Sequence, residues 1–248
     1  MNRFWEWLIS PIYKRKLRKL ATRVEYLEMA FIGLLEDLSS AEIEARAFNG
    51  QRQRRDIFYS IINNCGVDAI IETGTFLGVT TRHMAEKTKL PVYSSENNAR
   101  FHLVSKKRLS SLENVRLSLS DSRDFLKRLG ESAEKPKRPF IYLDAHWKDD
   151  LPLREELETI SKQWGECVVM IDDFEVPGDE GFGYDDYGWK NTLNNKHFSK
   201  IFSSLGFVSF FPRKHSATET GAKRGCVVLT GNAAILETLS RNEHLRRT

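Results

Sequence analysis

The sequence predicts an α/β protein with a doubly wound, mostly parallel sheet of seven strands and a helical extension at the N-terminal end. Three observations lead to this prediction. Short apolar runs alternate with helical stretches after Val67, acidic residues follow several of these runs, and residues 17–64 have helical periodicity. Such alternation is typical of parallel strands linked by crossover helices. A chain of 248 residues is long enough for one domain of this kind with an appendage.

Seven short β-rich runs are the candidate strands. They cover residues 69–72, 92–95, 115–119, 140–144, 167–171, 207–211 and 226–229. Only a short polar turn region separates the last two runs, which predicts an antiparallel hairpin that closes the edge of the sheet. The segment 176–188 is rich in glycine, acids and aromatic residues, and we expect it to form a flap.

The composition is ordinary for a soluble globular protein, with 40% hydrophobic and 29% charged residues. The three cysteines, Cys65, Cys167 and Cys226, are far apart in sequence and lie among apolar residues. They predict buried thiols in a reducing compartment, for which the cytoplasm is the default.

Residues 1–50 form the predicted helical extension, which begins with a basic region. Six cations and no acid lie within residues 14–23, at Lys14, Arg15, Lys16, Arg18, Lys19 and Arg23. A solvated helix face is the favoured interpretation, and contact with phosphates or an anionic membrane is the alternative. The aromatic segment 4–11 is too short to span a bilayer and does not resemble a secretory signal. An anchor at the inner face of the membrane stays open as an interpretation of this segment.

A heptad stripe follows the basic region. Apolar residues recur at alternating spacings of three and four, at Leu17, Leu20, Val24, Leu27, Phe31, Leu34 and Leu38. The stripe predicts a homo-oligomer that pairs through this helix, and packing on the main domain is the alternative. Residues 41–64 also predict helix, with Arg52, Arg54 and Arg55 on a basic face.

The first candidate strand leads into a loop with the pattern Glu-x-Gly-x3-Gly, formed by Glu72, Gly74 and Gly78, with Thr75 between the glycines. Glycine allows positive φ and lets a ligand approach the main chain closely, which predicts a cofactor loop. The spacing differs from the GxGxxG pattern of dinucleotide-binding loops. Because the carboxylate of Glu72 would repel a pyrophosphate but suits an ammonium group, the loop indicates S-adenosylmethionine rather than NAD.

Two further strand ends complete the predicted cofactor site. The second strand ends at Glu96, where a carboxylate can accept hydrogen bonds from two ribose hydroxyls. The third ends on a Ser-Asp-Ser stretch, and we expect its Asp121 and Ser122 at the adenine edge. These elements resemble the class I S-adenosylmethionine-dependent methyltransferases over residues 67–230. The resemblance implies the Rossmann-like methyltransferase fold for a domain of residues 51–248, with S-adenosylmethionine as its cofactor.

The fourth and fifth candidate strands end on carboxylates. We predict that Asp144, which we also expect to contact the cofactor, binds a divalent cation together with Asp172 and Asp173. Magnesium is favoured because it prefers hard oxygen ligands. A cation bound to a hydroxyl lowers the pKa of that hydroxyl, so that a nearby base can remove the proton. His146 is the preferred base because its unperturbed pKa lies near neutrality, whereas the alternative, Lys148, needs strong desolvation.

The sequence around these acids resembles that of metal-dependent O-methyltransferases. Leu-Asp-Ala-His-Trp-Lys-Asp, and Asp-Asp with Pro-Gly shortly after it, are similar to the catechol type, except for the inserted Ala145 and for Asp173 in place of asparagine. These departures resemble the sugar O-methyltransferases of macrolide and aminocoumarin pathways. In that branch the base is the second acid of Asp-x-Asp, a position that His146 occupies here. The resemblance implies metal-assisted methylation of a hydroxyl on a sugar, glycan or other small molecule.

Two other functions are alternatives at this point. A nucleic-acid methyltransferase agrees with the basic helices, but the chain has no Asn-Pro-Pro-Tyr-like segment and its net charge is only +4. A non-catalytic scaffold with the same fold is the other, and the intact set of acids speaks against it. We therefore expect a small-molecule or glycan acceptor rather than a nucleic acid. Tyr184, Tyr187 and Trp189 of the flap are candidates for stacking on that acceptor.

Overall fold

The computed structural model describes residues 11–146, 151–188 and 191–247. The chain divides into two compact units, one ending at Asp37 and the other beginning at Leu38, and each is described by itself. Among the described helices, none has the length and apolar character needed to cross a membrane. Within the described part, eight strands and eight α-helices lie in the second unit.

The first unit contains one long helix, α1 (Pro11–Leu35). This helix includes the predicted heptad stripe as far as Leu34, whereas Leu38 lies beyond its end and is buried in the second unit. Five residues of the stripe are exposed, with exposed fractions between 46% and 63%: Leu17, Leu20, Val24, Leu27 and Phe31. Self-pairing through this stripe stays a prediction.

The second unit is built on one sheet of eight strands. The strands are β1 (Ala69–Thr73), β2 (Val92–Glu96), β3 (Val115–Leu119), β4 (Pro139–Leu143), β5 (Val168–Asp172), β6 (Val208–Pro212), β7 (Cys226–Thr230) and β8 (Leu245–Arg247). They lie in the order β3-β2-β1-β4-β5-β7-β6-β8. The first five strands in this order are parallel, and β7 is antiparallel to both β5 and β6.

The predicted doubly wound, mostly parallel sheet is confirmed, with one strand more than predicted. The predicted antiparallel pairing of the last two runs is also found, but this pair does not form the edge alone. β7 lies inside the sheet against β5, and β8 covers β6 as the edge strand. We missed β8 because its three residues, Leu245, Arg246 and Arg247, are too few and too charged to show strand periodicity.

Helices cover both faces of the sheet. They are α2 (Ser40–Arg46), α3 (Arg52–Asn64), α4 (Val79–Thr88), α5 (Ala99–Arg108), α6 (Ser122–Glu131), α7 (Leu153–Gln163), α8 (Asn195–Ser204) and α9 (Ala233–Ser240). The helix predicted over 41–64 is interrupted between α2 and α3 by a 3₁₀ turn, where Phe48, Asn49 and Gly50 have positive φ. Positive φ is costly for residues other than glycine, so the sequence pattern did not reveal this break.

The core lies on both sides of the sheet because neighbouring strand residues point to opposite faces. Ile71 and Ile141 belong to the cluster that includes residues of α6, α7 and α8, whereas Ile70 and Phe140 belong to the cluster that includes residues of α3, α4 and α9. Strands β1, β4 and β5 are buried along their whole length, as expected for parallel strands covered on both faces. Polar side chains are therefore concentrated beyond the carboxyl ends of these strands.

Candidate active site

Main-chain hydrogen bonds join the carboxyl ends of the central strands. The N–H of Asp144, directly after β4, donates to the carbonyl of Thr73 at the end of β1, with an N···O distance of 3.0 Å. The N–H of Gly74 donates to the carbonyl of Ser95 in β2 at 2.9 Å. The sheet therefore brings together the predicted cofactor loop and the first predicted acid.

The glycines of the loop after β1 have the predicted positive φ, but the close approach at Gly74 is made by the main chain of Asp144, and the approach of a ligand stays a prediction. Gly74 has a φ of +85°, and a Cβ added there would lie 2.2 Å from the carbonyl oxygen of Asp144. Gly78 has a φ of +75° and directly precedes α4. The hydroxyl of Thr75 is buried and lies 2.6 Å from that of Ser94. No larger residue fits at Gly74 without moving the β4 end.

Glu96 lies at the end of β2, beside this loop. One carboxylate oxygen accepts a hydrogen bond from the N–H of Phe76 in the loop, and the other from the N–H of Asn98, each at 2.8 Å. Each oxygen of a carboxylate can accept a second hydrogen bond. Burial raises the pKa of Glu96. The side chain is fixed in place and keeps the capacity to accept from ribose hydroxyls.

Glu72 is buried behind the loop. Its Oε2 accepts hydrogen bonds from the hydroxyls of Thr81 in α4 and Ser94 in β2, each at 2.5 Å. Burial raises the pKa of Glu72 to about 7, although both hydrogen bonds lower it. In this arrangement Glu72 joins β1 to its two neighbouring elements. Its contact with a cofactor ammonium group stays a prediction.

The predicted adenine side of the site lies at the start of α6. Asp121 is the N-cap of this helix, and its Oδ1 accepts a hydrogen bond from the N–H of Arg123 at 2.9 Å. The guanidinium of Arg123 also binds this carboxylate, and this hydrogen bond lowers the pKa of Asp121. Ser122 is buried. Both residues follow β3, next to Glu96, and their contact with adenine stays a prediction.

Asp172, at the end of β5, is fully buried and already has three donors. It forms an ion pair with the guanidinium of Arg54 and accepts a hydrogen bond from the hydroxyl of Tyr142. The main-chain N–H of Asp173 donates to its Oδ1 at 2.7 Å. Both carboxylate oxygens of Asp172 are therefore engaged inside the protein.

Asp173, which has a φ of +52°, is bound by a second arginine. The Nε of Arg224 donates to its Oδ1 at 2.8 Å, and the same guanidinium binds the carboxylate of Asp185. The predicted flap contributes Asp185, whose N–H donates to the carbonyl of Asp173 at 2.9 Å. Burial raises the pKa of Asp185. The flap segment is thus fixed directly to the acids beyond β5.

His146 lies two residues after Asp144 and is buried, with 4% of its surface exposed. Neither ring nitrogen has a hydrogen-bond partner among the described residues. Burial lowers the pKa of His146 to about 4, and the nearby negative charge of Asp173 opposes this shift. The imidazole is therefore neutral at pH 7. Lys148, the other predicted base, lies outside the described residues.

The predicted metal ligands do not form a metal site as arranged. Over the described residues, no three His, Cys, Asp or Glu side chains are grouped so that they could hold an ion. The repulsion that led us to predict a cation is relieved by Arg54 at Asp172 and by Arg224 at Asp173. Burial together with the charge of Asp173 raises the pKa of Asp144 well above its ordinary value. The magnesium prediction stays untested, and we derive no step through a metal.

The sequence did not predict three residues that lie at the acids Asp172 and Asp173: Arg54, Arg224 and Asp185. We placed Arg54 on a basic face, but it is 1% exposed. A signal was present, because Arg54, Ile57, Phe58 and Ile61 have the i, i+3, i+4, i+7 spacing of the buried face of α3. Arg224 and Asp185 come from distant loops, and their contact depends on the tertiary fold.

No family model and no curated protein matches this chain. Several solved structures are similar to it. The chain is similar to a Staphylococcus aureus protein assigned as a caffeoyl-CoA O-methyltransferase, with a TM-score of 0.52 and 14% identity over 88% of this chain and 98% of that one. For DesVI of Streptomyces venezuelae the TM-score is 0.53 and the identity 13%, over 84% and 98% of the two chains. For MtNAS, solved as a mutant in complex with S-adenosylmethionine, the TM-score is 0.54 and the identity 9%, over 84% and 72%.

At these identities the similarity establishes the fold. The chain has the class I fold of S-adenosylmethionine-dependent methyltransferases, as its motifs predict. The loop at Gly74 and the carboxylate of Glu96 lie beyond the carboxyl ends of β1 and β2, the edge at which open α/β sheets bind ligands. The buried hydroxyl of Ser95, which has no hydrogen-bond partner among the described residues, lies at the same strand ends. The residues present therefore fit S-adenosylmethionine.

Proposed function

We propose that this protein is an S-adenosylmethionine-dependent O-methyltransferase that acts on a hydroxyl of a small molecule, such as a sugar or glycan. The observation that carries the proposal is His146. A buried imidazole normally has at least one hydrogen-bond partner, and this one has none among the described residues. It follows β4 in the chain, between the cofactor loop and the acids beyond β5. A hydroxyl group of an acceptor would supply the missing partner.

The cofactor-binding part of the proposal rests on two features of the strand ends. The loop from Gly74 to Gly78 is held by main-chain contact with Asp144 beside the end of β2, where we expect it to contact the cofactor, and Glu96 accepts from the ribose hydroxyls of the cofactor. When bound, S-adenosylmethionine supplies an electrophilic methyl group on a sulfonium. Glu72 holds the loop against α4 and β2 in the shape that binding requires.

His146 acts as the base in this proposal. The burial-lowered pKa of about 4 leaves the ring unprotonated at neutral pH but makes it a weaker base than the near-neutral imidazole that the sequence predicted. One nitrogen can still accept the proton of the acceptor hydroxyl, with the charge of Asp173 opposing the shift. With S-adenosylmethionine bound, the new C–O bond would form as the C–S bond breaks, with the electron pair of that bond left on sulfur and the proton of the acceptor held by His146. The negative charge of Asp173 stabilises the imidazolium that results. The enclosure of His146 keeps water from competing for the methyl group.

A polar acceptor is supported by the surface beside the flap. A groove of about 460 Å³ is lined by Tyr184, Asp186, Gly188, Thr192, Asn194, Lys196 and His197. The main chain of this segment leads directly to Asp185 and so to Asp173. Hydroxyl, amide and charged groups suit a ligand with several hydroxyls, and Tyr184 offers a ring for stacking. Trp189 lies outside the described residues.

A chelation experiment tests whether methyl transfer needs the predicted cation. Because arginines already neutralise Asp172 and Asp173, we expect methyl transfer to survive exhaustive treatment with EDTA. Transfer of labelled methyl to a pool of candidate diols and glycans is measured with and without the chelator. Loss of transfer that added magnesium restores would show instead that the reaction requires a divalent cation.

The experiment on the base compares His146→Ala with His102→Ala, a histidine in α5 outside the site. We expect His146→Ala to lower kcat by about 10²–10⁴-fold, the usual contribution of a general base. Affinity for S-adenosylhomocysteine, measured by calorimetry, should not change. The His102→Ala control should retain both. An unchanged kcat in a folded His146→Ala protein, with His146→Gln behaving alike, would remove His146 from the reaction.

A further inference from the structure

The exposed stripe of α1 has the geometry of one side of a two-stranded coiled coil. With Leu17 taken as an a position, Val24 and Phe31 are also a, and Leu20 and Leu27 are d. Position d continues at Leu34, which gives three complete layers. About 25 cal/mol is gained per Å² of apolar surface buried, so a stripe of this length favours a partner.

The charges of this helix are divided between its halves. The six cations of residues 14–23 are all exposed, and no Lys or Arg follows between 24 and 37. The second half carries Glu25 and Glu28, and Glu36 and Asp37 follow at its end. Cations near a helix N-terminus oppose the helix dipole, and α1 has no acid in its first turn to compensate.

We propose that α1 pairs with α1 of a second copy of this chain in antiparallel orientation. In a parallel pair the two basic halves would lie side by side and repel each other. In an antiparallel pair each basic half meets the acidic half of its partner, which also compensates the dipole at each N-terminus. The charge distribution thus selects one orientation, which the apolar stripe alone does not.

The a and d pattern also fixes the register of the antiparallel pair. An a residue of one helix faces a d residue of the other, which places Leu17 against Leu34, Leu20 against Phe31, and Val24 against Leu27 of the partner copy. Lys16, at a g position, then lies near the end of the partner helix, which Glu36 and Asp37 follow in the chain. This register aligns all three complete layers.

An anionic membrane surface fits this helix less well than a second copy. The basic half would bind anionic headgroups, but Glu25 and Glu28 flank Leu27 in the other half and would be repelled by them. A second copy in antiparallel orientation places a half of opposite charge beside each half of the helix. The membrane is therefore an outcome that the experiment must be able to detect.

Cysteine cross-linking distinguishes the orientations in the full-length chain. The three native cysteines are buried, so new cysteines in α1 can be oxidised selectively. We expect an equimolar mixture of Leu20→Cys and Phe31→Cys proteins to give a cross-linked dimer, whereas neither variant alone does. Cross-linking of either variant with itself would overturn the antiparallel arrangement.

Light scattering on the wild-type chain tests the association itself. We expect a mass twice that of the 28.7 kDa chain at micromolar concentration. Lys16→Glu, which replaces a cation of the basic half with an acid, should weaken the dimer by on the order of tenfold, whereas Lys16→Arg, which keeps the charge, should not. A monomer at tens of micromolar, or binding to anionic vesicles as a monomer, would exclude the proposal.

Discussion

Arg54 lies on the apolar face of α3, and its guanidinium is fully buried beyond the end of β5. There it pairs with Asp172 and donates to the main-chain carbonyls of Arg224 and, at 2.9 Å, Gly225. The Nε of Arg54 has no hydrogen-bond partner among the described residues, so the ion pair and these two carbonyls compensate the buried charge. This one side chain therefore connects three parts of the site: α3, the end of β5 and the segment before β7.

Replacing Arg54 tests how much the site depends on this ion pair. Arg54→Met keeps the length of the side chain but leaves Asp172 as an uncompensated buried charge. We expect the free energy of unfolding to fall by about 3–5 kcal/mol, measured by urea denaturation. Arg52→Met, which changes an exposed arginine in the same helix, should alter it by less than about 0.5 kcal/mol. A loss below about 1 kcal/mol for Arg54→Met would mean that Asp172 is neutral in the folded protein.

Glu96 provides a test of the cofactor site. Glu96→Gln keeps the shape of the side chain but replaces one acceptor oxygen with a donor that cannot serve both the main chain and a ribose hydroxyl. Loss of a charge-assisted hydrogen bond is worth roughly 1.5–3 kcal/mol, so the Kd for S-adenosylhomocysteine should rise by about 10- to 150-fold in calorimetry. Glu113→Gln, an exposed residue before β3, is the control. Equal affinity in both variants would place the ribose elsewhere.

At the scale of the element, the loop from β1 to α4 depends on one close contact. Gly74 and Gly178 both have left-handed φ, of +85° and +79°. An added Cβ at Gly74 meets the carbonyl of Asp144, whereas nothing lies within 4 Å of one at Gly178. The two glycines therefore separate the cost of backbone conformation from the cost of the steric clash.

This difference leads to a paired prediction. Gly178→Ala should lower the free energy of unfolding by about 1–2 kcal/mol and leave cofactor binding intact. Gly74→Ala carries the same conformational cost and also separates β1 from β4, so it should lose more stability and abolish measurable binding of S-adenosylhomocysteine. Both are measured by urea denaturation and calorimetry. Equal losses of unfolding free energy and equal binding of S-adenosylhomocysteine in the two variants would show that the loop accommodates a Cβ at Gly74 without a free-energy cost.

The sequence predicts most of the elements and fewer of their contacts. Apolar runs identify the strands because the central ones are buried on both faces, and the glycine pattern identifies the loop because Gly74 touches the main chain of β4. The contacts of Arg54 with Asp172 and of Arg224 with Asp173 could not be predicted in this way. They depend on which distant segments the fold brings beside Asp172 and Asp173, and local periodicity contains little of that information. The cation was predicted from three neighbouring carboxylates and from the resemblance to metal-dependent O-methyltransferases, and neither shows that Arg54 and Arg224 bind Asp172 and Asp173.

At the scale of the whole molecule, the buried ionisable groups respond to pH in opposite directions. Burial raises the pKa of Glu72 and of Glu156 to about 7 and lowers that of His83 and of His146 to about 4. The two acids contribute stability at low pH that is lost as pH rises through their folded pKa. The two histidines have the opposite effect, because between about pH 4 and 6.5 only the unfolded chain binds their protons. Because the two effects oppose each other, the pH dependence of the total free energy of unfolding does not show either one separately.

A single substitution can reveal one of these trends. Glu156, in the first turn of α7, is fully buried near the hydroxyls of Ser122 and Thr73, and burial raises its pKa from 4.5 to about 7. Glu156→Gln has no proton to lose, while Glu72, His83 and His146 are common to both proteins and cancel in the difference. The stability of the variant relative to wild type should therefore increase by roughly 3 kcal/mol between about pH 4.5 and 7.5.

Urea denaturation at a series of pH values measures this difference, and Glu155→Gln is the matched control because that residue is the exposed neighbour of Glu156. For Glu156→Gln the rise should begin above pH 4.5, where the unfolded carboxyl ionises, and level off above about pH 7, where the folded one does. A flat difference would mean that Glu156 titrates alike in both states, as it would if water or a ligand reached it. Glu156 lies near Thr73 at the end of β1 and Ser122 at the start of α6. If its carboxyl is enclosed behind the cofactor site, the rise in relative stability with pH should be the same with and without bound S-adenosylhomocysteine.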